Sequence, residues 1–295
     1  MKHSSSPYYH LALLGLILLG FCAPSTGRAQ SVAVQNGESI AFLGDSITQF
    51  GVSNPGGYVH LVVSGLETCG IKTVMIPAGV SGNTSKNMLD RLTKDVLSKK
   101  PTWMTLSCGV NDVWHGATGV PLDLYKQNIT SIVDQAQAAG IKVMILTATM
   151  IHEDQPNNYN QQLIAYNDFL RSLATQKKCL LADLNADMQK EVGATPHQGN
   201  LLTVDGVHMN TDGNIMMASG ILRAFGVSDA QMQKVQEAWL DLPNTTEVAV
   251  KTTVTIRQYR QLQDLAKNQK QDVQALVTQK LGEAIAPLLK PEPSK

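Results

Sequence analysis

The sequence predicts an α/β fold of three layers, with five parallel strands held between helices and a mainly helical C-terminal extension. Two patterns carry this. From Ser39 onward, short runs nearly continuous in apolar and β-branched residues alternate with longer stretches of helical period. That is the mark of strands covered on both faces and joined by crossover helices. The pattern then changes after Gly226, where polar helical stretches take over.

Taken in order, Leu11 to Cys22 is an apolar run of 12 residues behind Lys2 and His3, followed by small and polar residues ending Gly27-Arg28-Ala29-Gln30. It is too short to span a bilayer, which takes about 20 residues, but has the length of a signal-peptide core. Gly27 and Ala29 supply the small residues of a cleavage site, so cleavage is expected after Ala29, with a secreted or periplasmic product and no stable membrane anchor. The expected strands are Ser39–Leu43, Lys72–Ile76, Trp103–Ser107, Lys142–Thr147 and Cys179–Asp183. Between them, Met88, Leu89, Leu92 and Val96 form one helical stripe. Ile129, Ile132, Val133 and Ala136 form a second, and Ile215, Ala218, Ile221, Leu222 and Phe225 a last one. Residues 229–240 read as a short helix, Asp241–Thr246 as a turn and Glu247–Ile256, rich in Val and Thr, as a strand. A polar helical stretch runs from Gln258 to about Leu289. The expected organisation is therefore a signal peptide over 1–29, a catalytic domain over 30–228 and an extension over 229–295. A strand followed by two helices is a pattern able to form a homodimer.

Twenty-four basic residues balance twenty-four acidic ones. With no net charge there is no field to gather nucleic acid, and none is expected as a partner. After the signal, Cys69, Cys108 and Cys179 remain, without C-x-x-C spacing, and read as small buried apolar residues rather than a disulfide framework or zinc site. No histidine pair has the spacing of a metal motif, so neither metal nor cofactor is expected.

In parallel α/β sheets the ligand lies beyond the carboxyl ends of the strands. Four short blocks fall there: Gly44-Asp45-Ser46-Ile47-Thr48, Ala78-Gly79-Val80-Ser81-Gly82-Asn83-Thr84, Gly109-Val110-Asn111-Asp112 and Asp205-Gly206-Val207-His208. Each alone has an ordinary reading as a capped turn or loop. In this order they resemble the SGNH (GDSL-like) hydrolases over roughly residues 38–226, whose fold is flavodoxin-like. The resemblance implies Ser46 as nucleophile, His208 as general base and Asp205 orienting it. It places the backbone N–H of Ser46 and of Gly82 and the side chain of Asn111 in the oxyanion hole. Asn83 stands where members commonly carry an acid. The nucleophile lacks the G-x-S-x-G elbow of the α/β-hydrolases.

The reaction so implied is hydrolysis of an ester, with short acyl groups, acetyl foremost, on carbohydrate as the expected substrate. A lysophospholipase or acyl-thioesterase with the same mechanism is the alternative within the class. A non-catalytic glycan-binding or assembly protein on a hydrolase scaffold is the alternative outside it. His115 and His152, each just past a strand, are weaker candidates for substrate binding, and Trp114 for the border of the cleft. His60 reads as structural.

Overall fold

The structure, a computed structural model, describes residues 1, 32–194, 199–243, 246 and 252–289. Residues 2–29 of the expected signal peptide lie outside this set. The chain divides into two compact units, Met1–Thr245 and Thr246–Lys295.

The first unit is built on five parallel strands: β1 (Ser39–Gly44), β2 (Val74–Gly79), β3 (Trp103–Ser107), β4 (Lys142–Leu146) and β5 (Leu180–Ala182). Their order is β2-β1-β3-β4-β5, the flavodoxin-like arrangement, with Ile40 opposite both Met75 and Trp103. Residues Ile40–Gly44 and the whole of β3 are buried, as continuous apolar runs require. β2 starts two residues later than its apolar pattern. The Lys72 N–H donates to the Asn36 side chain and its carbonyl accepts from Gly37, so the ladder begins only at Val74. β2 then runs on through Pro77, which an edge strand tolerates because one side of it needs no ladder bond.

Helix α1 (Ser46–Ser53) follows β1 directly, and α2 (Tyr58–Thr68) follows α1. α3 (Ser85–Asp95), the short α4 (Val110–Trp114), α5 (Leu122–Ala138), α6 (Asn158–Lys177), α7 (Leu184–Ala194), α8 (Thr211–Ala224) and α9 (Asp229–Leu240) complete the unit. On one face α3 packs on α5 and α5 on α6; on the other α2 packs on α8. The predicted stripes face inward: Met88, Leu92 and Val96, then Ile129, Ile132, Val133 and Ala136, then Ala218, Ile221, Leu222 and Phe225 are buried, with Leu89 and Ile215 half-buried against the core.

Helix α9, assigned to the extension by its composition, packs on α2. Val235 and Trp239 are buried, and the Trp239 indole N–H donates to Leu61 O at 3.2 Å. The first compact unit accordingly runs to Thr245 rather than ending at 228.

The second unit contains α10 (Ile256–Asn268) and α11 (Val273–Ile285). The strand expected over Glu247–Ile256 is corrected where it is described. Thr252–Thr255 has no regular structure and Ile256 opens α10. Thr255 instead accepts from the Gln258 N–H in a capping box, a use of Thr that competes with its preference for strands. Residues 247–251 lie outside the described set. Among the described residues no helix is long and apolar enough to cross a membrane. Of the three cysteines, only Cys108 is fully buried; Cys69 and Cys179 are half-buried, and all three are free.

Candidate active site

The strand order decides which chain segments can meet. β1 lies between β2 and β3, so the loops that leave these three strands are neighbours at the carboxyl edge. Those loops carry Ser46, Gly82 and Asn111.

Ser46 is the first residue of α1, and its position is set by Asp45. The Asp45 carboxylate accepts from the Ile47 N–H at 2.9 Å as the helix cap, and the side chain is buried. Burial pushes its pKa up to about 7, the Ile47 bond lowering it and the charge of Asp112 raising it further. One turn on, Thr48 Oγ1 shares a 2.8 Å hydrogen bond with the buried Tyr58 hydroxyl, which fixes the start of the helix against α2.

Gly82 sits in a turn at φ +74°, a conformation open to glycine, and no described residue accepts from its N–H. Its neighbours are tied down on both sides. The Ser81 N–H donates to Gln49 Oε1 of α1 at 2.7 Å, and Asn83 O accepts from Asn111 Nδ2 at 3.1 Å. One hydrogen of the Asn111 amide is therefore spent on Asn83, and the other has no acceptor among the described residues. Beneath them Asp112 accepts from the Ser85 N–H at 2.9 Å, joining the third block to the start of α3.

A residue not anticipated from the sequence braces this half. Arg91 of α3 donates to Gly44 O and Ala78 O, each at 2.8 Å, to Asn83 Oδ1 at 2.6 Å and to Asp95 at 2.9 Å. The ends of β1 and β2 and the glycine turn thus share one guanidinium, a use of its fixed fork of donors. A lone basic residue beside the apolar stripe Met88–Leu92 was its only trace in the sequence. The same network occupies the Asn83 side chain, so the missing acid of the block is replaced by an amide oxygen serving Arg91.

Asp205 and His208 lie on a narrow loop. The Val204 N–H donates to His208 O at 2.8 Å, and Asn210 N–H to Leu202 O at 3.0 Å, closing Leu202–Asn210 into a hairpin-like turn. Asp205 Oδ1 accepts from the N–H groups of Val207 and His208 at 3.0 and 2.8 Å, while Oδ2 meets His208 Nδ1 at 2.6 Å. Partial burial pushes the Asp205 carboxyl up. Hydrogen bonds from the His208 ring and the two backbone N–H groups outweigh it and leave the pKa below the usual value. At the other side of the ring, His208 Nε2 lies 2.9 Å from Ser46 Oγ.

The structure thus brings Asp205, His208 and Ser46 into one hydrogen-bonded chain and places Gly82 and Asn111 on the two loops flanking Ser46. Of the weaker candidates, His152 packs edge-on to Trp114 with ring centres 5.5 Å apart, and its backbone N–H donates to Gly206 O at 2.6 Å. His115 is exposed at the end of α4, with no hydrogen bond from its ring to a described residue. His60 is structural, bonded to Val52 O at 2.7 Å. A second unanticipated residue is Phe50, one helical turn after Ser46. Its ring centre is 4.9 Å from that of His208, and it remains 46% exposed.

An acid–imidazole–hydroxyl chain at the carboxyl edge of a parallel sheet is the arrangement of a serine hydrolase. The chain belongs to the GDSL-like lipase/acylhydrolase family, whose sequence profile matches residues 42–214, and is a serine carboxylic ester hydrolase. It is 28% identical over 214 residues to the acetylxylan esterase of Geobacillus stearothermophilus, a match spanning 65% of this chain and 96% of that enzyme. The solved structure of an acetylxylan esterase from that organism aligns at TM-score 0.61 with 27% identity, over 66% of this chain and 97% of the other. Its solved forms include catalytic mutants in which a serine or an aspartate is replaced by alanine. Another acetyl xylan esterase structure is 36% identical over 63% of this chain and 98% of that one, at TM-score 0.58. Esterase TesA of Pseudomonas aeruginosa is 28% identical over 194 residues, 65% of this chain and 88% of that enzyme.

Proposed function

We propose that the protein removes acetyl groups from carbohydrate by two-step acyl transfer through Ser46, His208 and Asp205. The observation that carries the mechanism is the unbroken contact from Asp205 Oδ2 to His208 Nδ1 and from His208 Nε2 to Ser46 Oγ. As Ser46 Oγ attacks the ester carbonyl, His208 Nε2 takes its proton. Asp205 holds the ring with Nδ1 protonated and stabilises the imidazolium. The oxyanion accepts from the Ser46 and Gly82 N–H groups and from the other hydrogen of Asn111 Nδ2. Collapse breaks the bond to the alcohol, which leaves with the proton from His208. Water, deprotonated by His208, then hydrolyses the acyl-enzyme and restores Ser46.

The carbohydrate assignment draws on the acetylxylan esterases among the relatives and on Phe50. A half-exposed aromatic ring against the general base offers a flat apolar face to the C–H face of a sugar ring. His152 beside Trp114 lies on the loop after β4 and completes a second aromatic surface. Export through cleavage after Ala29 places such substrates within reach, and N-terminal sequencing of the product released by the host checks it. Self-association is assigned to the second unit. Because α9 packs within the first, the informative truncation removes 246–295, and light scattering reads whether a dimer becomes a monomer.

The deciding assay compares the mature chain with Ser46→Ala on p-nitrophenyl acetate, octanoate and an acetylated xylo-oligosaccharide. Turnover of the acetylated substrates, abolished in the variant, is the expected result. Rates rising toward octanoate would instead assign a long-chain acylhydrolase or thioesterase. Equal hydrolysis by wild type and variant would remove Ser46 from the mechanism.

A further inference from the structure

We propose that Glu153 is a positioning residue for the general base: its buried carboxylate holds the loop that carries Asp205 and His208. The inference rests on the roles just assigned to those two residues.

Glu153 follows β4 in the stretch where a ligand-facing loop is expected, yet it is turned inward and is only 7% exposed. Both it and His152 lie in the left-handed region, at φ +46° and +62°. Consecutive non-glycine residues of this kind persist only where their surroundings over-determine them, and they gather at functional sites. What holds them is the loop on the far side of the site. Glu153 Oε2 accepts from the Leu201 N–H at 2.7 Å, and Oε1 from the Leu202 N–H at 3.0 Å. The Thr203 hydroxyl also donates to Oε1, at 2.5 Å. All three acceptor contacts fall on the strand-like entry to the Asp205–His208 turn.

The clamp then passes to the turn itself. Thr203 Oγ1, its proton committed to Glu153, accepts from the Gly206 N–H at 3.0 Å. The Gly206 carbonyl accepts from the His152 N–H at 2.6 Å. Both backbone groups of Gly206, the residue directly after Asp205, are thereby fixed from the Glu153 side. Gly206 itself stands at φ +96°, and a Cβ there would come within 2.7 Å of the His152 ring. The fit admits glycine alone. Asp205 and His208 belong to no helix or strand, so their placement relative to Ser46 depends on this clamp.

A carboxylate suits the position because it is acceptor-only, and it faces two N–H groups and one O–H. The neutral amide of Glu153→Gln turns an N–H₂ toward one of those donors. Thr203→Val keeps the shape and cuts the link from Glu153 to Gly206. Among the described residues, neither side chain forms a hydrogen bond with Ser46, Gly82, Asn111, Asp205 or His208.

The experiment measures kcat and KM on p-nitrophenyl acetate for both variants, with thermal unfolding to confirm the fold. NMR of isotope-labelled histidine reads the His208 tautomer and its Nδ1 hydrogen bond. A displacement of the base by about an ångström predicts a kcat loss of up to about 10²-fold, with KM nearly unchanged. The His208 signals should lose the signature of a single tautomer bonded to Asp205. If Glu153→Gln does not fold, Thr203→Val decides by the same readouts. A folded variant with wild-type kcat and wild-type His208 signals overturns the proposal, as does a fall in kcat that leaves those signals untouched. Altered His208 signals with kcat unchanged would keep the clamp and reject the catalytic roles proposed for Asp205 and His208.

Discussion

The two halves of the site are held by different means. Ser46, Gly82 and Asn111 leave the ends of three adjacent strands, and Arg91 ties two of those ends and the glycine turn together. Asp205 and His208 sit on a turn outside the sheet, placed by hydrogen bonds reaching across from the loop after β4. The first half inherits its precision from the sheet, whose ladder is among the last parts of a fold to open. The second depends on a few polar contacts. The lesson is that strand ends bring Ser46, Gly82 and Asn111 together almost automatically, while the position of Asp205 and His208, which arrive late in the chain, rests on hydrogen bonds between loops.

This contrast can be broken or sharpened by substitution. The largest effect is expected at Asp205→Asn, which keeps the shape of the turn and disturbs the ring tautomer. A drop of about 10⁴ in kcat, by analogy with other triads, with an unfolding midpoint close to wild type, is the expected pair of results. Near-wild-type turnover would show that the loop half needs no carboxylate. If Asn111 donates to the oxyanion as proposed, Asn111→Ala should lower kcat about 10²–10³-fold on p-nitrophenyl acetate. If the loss is below threefold, Asn111 serves only to hold Asn83.

Arg91→Met tests the brace itself. It leaves the carbonyls of Gly44 and Ala78 without a charged donor, and a loss of about 2 kcal/mol in urea unfolding is expected. A stable variant would place the rigidity of that half in the ladder alone. The last effect is a pH dependence of stability and concerns Asp45. Its carboxyl is raised from 3.8 to about 7 by burial, so between those values the folded chain keeps a proton that the unfolded chain has lost. This group's contribution is therefore full at low pH and declines as pH rises toward 7. In Asp45→Asn that decline is absent, and the urea midpoint should fall less between pH 4 and 7 than in wild type. Parallel pH profiles would exclude Asp45 as the source.

The legible parts of the chain were those set by local pattern. β1 and β3 were found as continuous apolar runs because the sheet buries them from both sides. Ser46, Gly82, Asn111, Asp205 and His208 could be singled out because their four blocks stand in the order of a known family, and the structure brings Ser46, Asp205 and His208 into one hydrogen-bonded chain. Arg91, Phe50 and Glu153 escaped notice because their roles are tertiary. Nothing in the residues around Glu153 signals that its partners lie some fifty positions away at Leu201, Leu202 and Thr203. The Val- and Thr-rich run before α10 was misread where Thr255 takes a cap instead of a strand position. Helix α9 looked polar enough to belong to the tail, and its three buried residues, Met232, Val235 and Trp239, were too few to announce a core face.

Both borders of the sheet are poor hosts for another strand. At β2 the outer row of N–H groups is interrupted by Pro77, and β5 is only three residues long. Continuation of the ladder into a second molecule is disfavoured on either side, whether as a specific pair or as an aggregate. An assembly of this protein has to be sought through helical surfaces. A crosslink engineered between two β2 strands should therefore form poorly, at concentrations where one between helices succeeds.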